Sequence, residues 1–469
     1  MRETLICLVL AGCLRAASPV GVFEDHADVG TVLHPGAVEY DAAKGSYTIA
    51  GSGENMWFAA DAFQFAWKQV SGDVTLTANV SFVGEGKEGH RKAVLMIRQS
   101  LDADSAYADV ARHGDGLTSL QARDEKGAIT TEVQAATAAP ARLRIVKHGD
   151  QFYMWLAGPG EDLRFSGAAM WVPLHDPFYV GIGVCSHNKD VVERAVFSNV
   201  EISTAAPVQT ALYSTLEVVP AAGDRRAVYV ARGCITAPHW SDGGDGLTFA
   251  HNGREDRVAV AGGAGSPAPP EKRELVTQAF SRIARQEREA AGANCSGAAD
   301  EPVWSPDNRR LAFVSYHRVP LAHSDWGPLQ FLIGKWTGEG SGQPGNGSGS
   351  FSLLPDLQDH VLVRKSFAEY PASGGKPGFR HDDLMVVHRE EETGDLRATY
   401  WDSEGHVISY AVKAVKGGAA LESDGPPSQM RYRLTYIAAG PDRAHLTFEV
   451  AAPGRDFAKY IDAALRREH

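Results

Sequence analysis

Apolar side chains recur at every second position in short runs along most of the chain, and turn residues separate the runs. Val74, Leu76, Ala78 and Val80 alternate with Thr75, Thr77 and Asn79, and Phe63, Phe65 and Trp67 enclose Gln64 and Ala66. A period of two sends successive side chains to opposite faces of an extended strand, whereas a helix needs apolar residues three and four apart. From residue 20 to 203 the runs at 46–50, 143–147, 152–155, 178–184 and 197–200 continue the series, with Gly, Asp and Asn between them. No long helical period interrupts it. Such a series predicts a two-sheet sandwich. Phe63, Phe65 and Trp67 are expected to point inward from a half-buried strand. The acidic cluster Glu24, Asp25, His26 and Asp28 reads as a turn.

Within this module, Tyr47-Thr48-Ile49 with Gly51-Ser52-Gly53, then Trp57, Asp61-Ala62-Phe63, Ala93 to Arg98, and Phe197-Ser198-Asn199-Val200 form several separate motifs. Together they resemble bacterial concanavalin-like jelly rolls, a family related in shape to laminin-G and legume-lectin sandwiches. The resemblance implies a jelly-roll sandwich over 20–203 that binds glycans.

The middle of the chain carries a repeat. Ala237-Pro238-His239-Trp240-Ser241-Asp242-Gly243 leads to Leu247 and Phe249, and Glu301-Pro302-Val303-Trp304-Ser305-Pro306-Asp307 leads to Leu311 and Phe313. Each copy is a turn followed by a short strand, and Ser-Pro-Asp is turn chemistry. The copies resemble blades of TolB-type β-propellers. Two copies cannot close a ring, so 210–320 is expected to be a partial propeller-like segment. Gly262 to Pro270 reads as a linker. Glu271 to Ala291 is then helical, with Leu275, Val276, Phe280 and Ile283 on one face. That helix or a neighbouring module should cover the incomplete sheet and shield Trp240 and Trp304.

The last module, 322–469, alternates again over 349–354, 360–367, 384–388, 396–401, 406–412, 430–436 and 445–450. The small-residue run Gly338 to Ser350 reads as a flexible loop, and Phe457, Tyr460, Ile461 and Leu465 as one side of a terminal helix. The opening Gly334-Lys335-Trp336, the strand series and that helix resemble the lipocalin-like, or calycin, barrel, which implies a pocket for a small apolar ligand. The fold class expected for the whole chain is therefore mainly β: a jelly-roll sandwich, a partial propeller-like segment with one helix, and a C-terminal antiparallel β-barrel.

Residues 1–17 read as an export signal. Leu5 to Leu10 is apolar but far too short to span a bilayer. Leu10-Ala11-Gly12-Cys13 resembles the lipobox of bacterial lipoproteins, which implies a lipid on Cys13; ordinary cleavage near Ala16 or Ala17 is the alternative. Export to the periplasm, the outer membrane or the medium follows in either case, and the lipid is the one expected membrane attachment. Cys185, Cys234 and Cys295 remain, an odd number that cannot all pair within the chain. No Cys-x-x-Cys occurs, so no structural zinc is implied. The net charge is -12, and no basic block offers itself to nucleic acid.

Chemistry-bearing candidates are few. Arg98 shares a strand face with Val94 and Met96; it either meets a ligand or forms a buried pair with Asp61. Trp57 either stacks on a sugar or packs in the core. Tyr107 and His113 are weaker candidates. In the barrel, Arg364, Tyr400, His406 and Tyr410 are expected to line the interior, unless packed side chains fill it. The histidines 360, 381, 388, 406 and 445 lack metal-site spacing. No catalytic residue and no cofactor is expected, since no nucleophile elbow, phosphate loop or pair of carboxylates two and four apart on one strand appears. The reading is an exported, non-catalytic envelope protein that binds a glycan or small ligand. The alternatives are a carbohydrate-active enzyme using the sandwich and a carrier of a small hydrophobic ligand in the barrel.

Overall fold

The computed structural model describes residues 20–204, 210–221, 223–261, 266–295, 301–321, 326–357, 360–372, 377–390 and 395–468. The expected leader with Cys13, and residues 262–265 of the expected linker, lie outside them. The chain forms two compact units, Met1–Ala205 with Asp224–Ala227, and Ala206–Gly223 with Val228–His469.

The first unit is a sandwich. One sheet orders the strands Asp25–Val29, Phe63–Val70, Phe178–Cys185, Lys92–Arg98, Tyr107–His113, Thr118–Arg123 and Thr131–Gln134. The other orders Arg164–Trp171, Gln151–Ala157, Arg142–His148, Val74–Phe82, Glu193–Ser203, Ser46–Gly51 and Ala37–Asp41. Ile49, Leu76 and Ile145 of the second sheet meet Leu95, Ile97 and Ile182 of the first in a fully buried core. The residues expected to turn at 24–28 instead supply the strand Asp25–Val29, which pairs along Phe63–Trp67.

The aromatics Phe63, Phe65 and Trp67 correct the sequence reading. The core between the sheets takes the alternate residue Ala66. The three aromatics cluster on the opposite face with Val94, Met96, Tyr107 and Cys185. Their strand is buried on both faces, so alternation alone cannot say which face is inner. Gly181 and Gly183 make the outer placement fit. A Cβ at Gly181 would lie 2.0 Å from the Ala66 carbonyl oxygen and 2.8 Å from the Phe65 ring, and one at Gly183 2.9 Å from the Phe63 ring.

In the second unit, Thr210–Pro220 and Arg310–Pro320 pair antiparallel along their full lengths, and Val303–Trp304 extends the sheet. The helix Pro270–Ala290 starts on a proline, which needs no hydrogen-bond donor there. It covers this sheet: Phe280, Ile283 and Ala284 pack against Val219 and Phe313. Leu275, placed on the same face by sequence, is 68% exposed, because the packed stripe begins a turn later. Ile235–Trp240, Gly246–His251 and Arg254–Ala259 make a separate three-stranded sheet. Both repeat tryptophans are half-buried. The Trp240 indole N–H donates to the Val303 carbonyl at 3.0 Å, and that of Trp304 to Thr277 Oγ1 on the helix at 2.9 Å. Cys234 and Cys295 form a disulfide, and Cys185 is a buried thiol.

The rest of the unit is a closed antiparallel barrel running from Gly334–Gly342 to Ala458–Glu468. Two expectations are corrected here. The run Gly338 to Ser350 is no loop but most of a hairpin, the strands Gly334–Gly342 and Gly347–Asp356. Its small residues suit close strand contact, since a Cβ on Gly349 would lie 2.2 Å from the Phe367 carbonyl oxygen. The terminal helix is a strand, paired from Lys335↔Glu468 to Gly342↔Ile461. Ile461, Ala463, Leu465 and Arg467 alternate inward along it. Closure decides the matter, because a helix there would leave two strand edges unpaired. A short 3-10 helix, Gly327–Leu332, inserts Leu329 and Leu332 into the barrel core.

Candidate functional site

The outer face of the first sandwich sheet, the one lined by the aromatics, carries a buried set of polar side chains. Three rows run across neighbouring strands. Cross-strand register aligns Met96, Asp109, Gln121 and Glu132; Arg98, Tyr107 and Arg123; and Lys92 with His113.

The arginine row is a brace. Asp61 accepts Arg123 Nη2 at 2.8 Å and Nη1 at 3.0 Å, and Arg98 Nη2 at 3.4 Å. Arg98 also donates to the Ser100 and Asp102 carbonyls at 2.7 and 2.6 Å. The Tyr107 hydroxyl contacts the Met56 carbonyl and Thr130 Oγ1. Arg98 and Tyr107 are fully buried, and their polar groups serve internal partners. Burial lowers the Arg98 pKa, and Asp61 opposes that.

The other two rows are more open to chemistry. Lys92 donates to the Met56 carbonyl at 2.9 Å and to Gln121 Oε1 at 3.0 Å. Gln121 and Ser119 both donate to Glu132 Oε2, at 3.0 and 2.8 Å. Asp109 differs: neither carboxylate oxygen has a hydrogen-bond partner among the described residues. Burial pushes its pKa well above the ordinary carboxylate range, with the Lys92 ammonium pulling the other way. Burial likewise lowers the Lys92 pKa. Toward the surface, the Lys92 ammonium lies 5.3 Å from the half-buried Trp57 ring. His113 stacks edge-on with exposed His90, which contacts His187. Trp57, His90 and His187 therefore form an accessible rim above the buried rows. Asp109, Gln121 and Glu132 were missed from sequence because they come from three strands and carry no local spacing signal.

Burial, with Lys92 nearby, brings the His113 pKa down to about 2. The unfolded chain takes up a proton there near pH 6.5 and the folded chain does not, so stability present above pH 6.5 is lost as the pH falls. The expected slope from this group is about 1.4 kcal/mol per pH unit below that point. Denaturation midpoints at pH 7 and pH 5 should differ less in His113→Gln than in the wild type.

In the barrel, the structure brings Arg364, Tyr400 and Tyr410 together. Arg364 donates to Asp383 Oδ1 at 2.9 Å and to Ser366 Oγ at 3.2 Å. The cavity beneath, lined by Arg364, Tyr436, Phe351, Met385 and leucines 329 and 332 among others, measures about 10 Å³. That is about the room one water needs. His406 corrects the sequence reading: it does not line the interior but is exposed in the turn after Asp402, whose Oδ2 lies 2.9 Å from its Nδ1. His381 sits at the same rim, Nε2 2.9 Å from the Tyr400 hydroxyl and Nδ1 2.6 Å from Glu404 Oε2.

No known family model matches the chain, and no curated protein matches it. Solved structures do. A functionally unknown protein from Saccharomyces cerevisiae is 16% identical with a TM-score of 0.30, over 37% of this chain and 92% of that one. A designed fluorescence-activating β-barrel is 11% identical with a TM-score of 0.18, over 32% and 100%. A protein of unknown function from the DUF3598 family, from Nostoc punctiforme, is 8% identical with a TM-score of 0.19, over 55% and 96%.

Proposed function

We propose that the protein is exported and that its sandwich is a lectin-like jelly roll binding a glycan without transforming it. The observation that carries this is Asp109, a buried carboxyl group with no hydrogen-bond partner among the described residues, beside a row of amide, hydroxyl and ammonium groups. A polar group left so costs about 1–3 kcal/mol, which a ligand hydroxyl recovers. A sugar hydroxyl can donate to Asp109, while Gln121, Ser119 and Glu132, bonded to one another and to Lys92, fix the row around it. Trp57 at the rim offers an apolar ring face for stacking. The disulfide supports export, since such bonds persist in oxidising compartments. The cavity beneath Arg364, at about 10 Å³, is too small for a carried hydrophobic ligand.

A second reading has one observation in its favour. Asp109 and Glu132 lie on the strands either side of Gln121. Two strand spacings put their Cα atoms about 10 Å apart, close to the carboxyl separation of inverting glycosidases, roughly 6.5–9.5 Å. A glycan array with the full-length protein, run beside a hydrolysis assay, separates the two readings; binding without turnover is expected. Trp57→Ala should weaken binding about tenfold, the loss of one stacking contact, with little change in unfolding midpoint. Asp109→Asn should also weaken binding while raising the unfolding midpoint at pH 8. The sign follows from the raised pKa of Asp109: the folded state holds its proton more tightly than the unfolded chain, so stability drops as pH rises, and Asn removes that loss. No binding to any glycan, or binding unaffected by both substitutions, would overturn the proposal.

A further inference from the structure

We propose that the rim of the barrel binds a divalent transition-metal ion through His381, Asp402 and Glu404. His381 lies near the start of the strand Phe379–Arg389, Asp402 ends the strand Leu396–Asp402, and Glu404 follows in the turn. Antiparallel pairing of Asp383 with Asp402 brings the two strand ends side by side. Each of the three side chains offers one ligand atom, and these atoms lie within 4.8 Å of one another. Metal–ligand bonds of about 2.0–2.2 Å put two ligand atoms on one ion roughly 3–4 Å apart, so small side-chain rotations close the site.

The donor set points to the ion class. One imidazole and two carboxylates suit zinc and its first-row neighbours better than calcium or magnesium, which take oxygen ligands alone. The charge also fits: the two carboxylates carry a local charge that a dication balances. Asp383 is already matched by Arg364 at 2.9 Å.

The surrounding contacts orient the ligands as outer groups do in metal sites. The backbone N–H groups of Glu404 and His406 donate to Asp402 Oδ1 at 3.1 and 2.8 Å, and His406 Nδ1 lies 2.9 Å from its Oδ2. The Tyr400 hydroxyl holds His381 Nε2, which leaves Nδ1, the nitrogen facing Glu404, for the ion. The Asp402 side chain is 5% exposed and that of Glu404 42%, so the site is anchored inside and open to solvent on one flank. An open flank leaves room for a water or a ligand as a further donor.

The test uses the untagged full-length protein stripped with a chelator. Calorimetric titration with Zn²⁺ should show one equivalent bound, and Co²⁺ should give visible absorption of a nitrogen- and oxygen-ligated ion. Loss of one ligand should weaken Zn²⁺ binding about 100-fold, at or beyond the upper end of what losing an outer-shell partner costs, in both His381→Ala and Glu404→Gln. Glu404 sits in an exposed turn, so its variant tests the site without endangering the fold. Asp382→Asn, a neighbouring exposed carboxylate paired with Arg380, should bind as the wild type does. No saturable binding at one equivalent, or wild-type affinity in Glu404→Gln, would refute the site.

Discussion

Asp61→Ala is expected to destabilise the sandwich by about 3–5 kcal/mol, because it strands buried guanidinium groups. Asp61 is the shared acceptor of Arg123 and Arg98, and both arginine side chains are fully buried. Without the carboxylate the two cations face each other in a poorly solvated interior. Arg98→Ala should cost less, since Asp61 keeps both bonds from Arg123. A domain's whole stability is about 5–15 kcal/mol, so the Asp61 variant should show a large drop in denaturant midpoint. An unchanged midpoint in Asp61→Ala would mean that the carbonyls around Arg98 and Arg123 suffice to hold the charge.

Loss of the disulfide is the other large effect. Cys234 and Cys295 are 61 residues apart, and the loop they close contains three strands and the helix Pro270–Ala290. On the chain-entropy model, opening a loop of that length returns about 4 kcal/mol to the unfolded state. Cys234→Ser with Cys295→Ser should therefore unfold at markedly lower denaturant, and reductant should shift the wild type but not the double variant. Cys185 does not confuse the comparison, because burial pushes its thiol up to about 11 and keeps it inert. A wild-type midpoint indifferent to reductant would show that the bond contributes nothing to this unit.

Much of the strand content was legible because alternation reports directly on an extended chain with one face in water. The helix Pro270–Ala290 was legible for a similar reason, a change of period from two to 3.6 after a proline-rich stretch. The reading failed where period was not the deciding term. Tyr460, Ile461 and Leu465 satisfy a helical spacing, and Ile461, Ala463 and Leu465 satisfy a strand spacing equally well. The candidate sites were less legible still. Trp57 and Arg98 lie on the same sandwich face as the candidate site, but the brace consumes Arg98, while Asp109 and Glu132 lie 23 residues apart in sequence.

Side-chain period, turn residues and proline placement are local properties, and they were enough to predict short strands and the helix after the proline-rich stretch, though they also suggested a second helix at the C-terminus. Long-range packing settled which face of Phe63–Val70 is inner, because both are buried and Gly181 and Gly183 open the space for the rings. It decided that Ala458–Glu468 is a strand, because an unfilled barrel edge outweighs local propensity. It also brought His381 beside Asp402 and Glu404, and Asp109 beside Gln121, because strand register is a long-range pairing that no short stretch encodes.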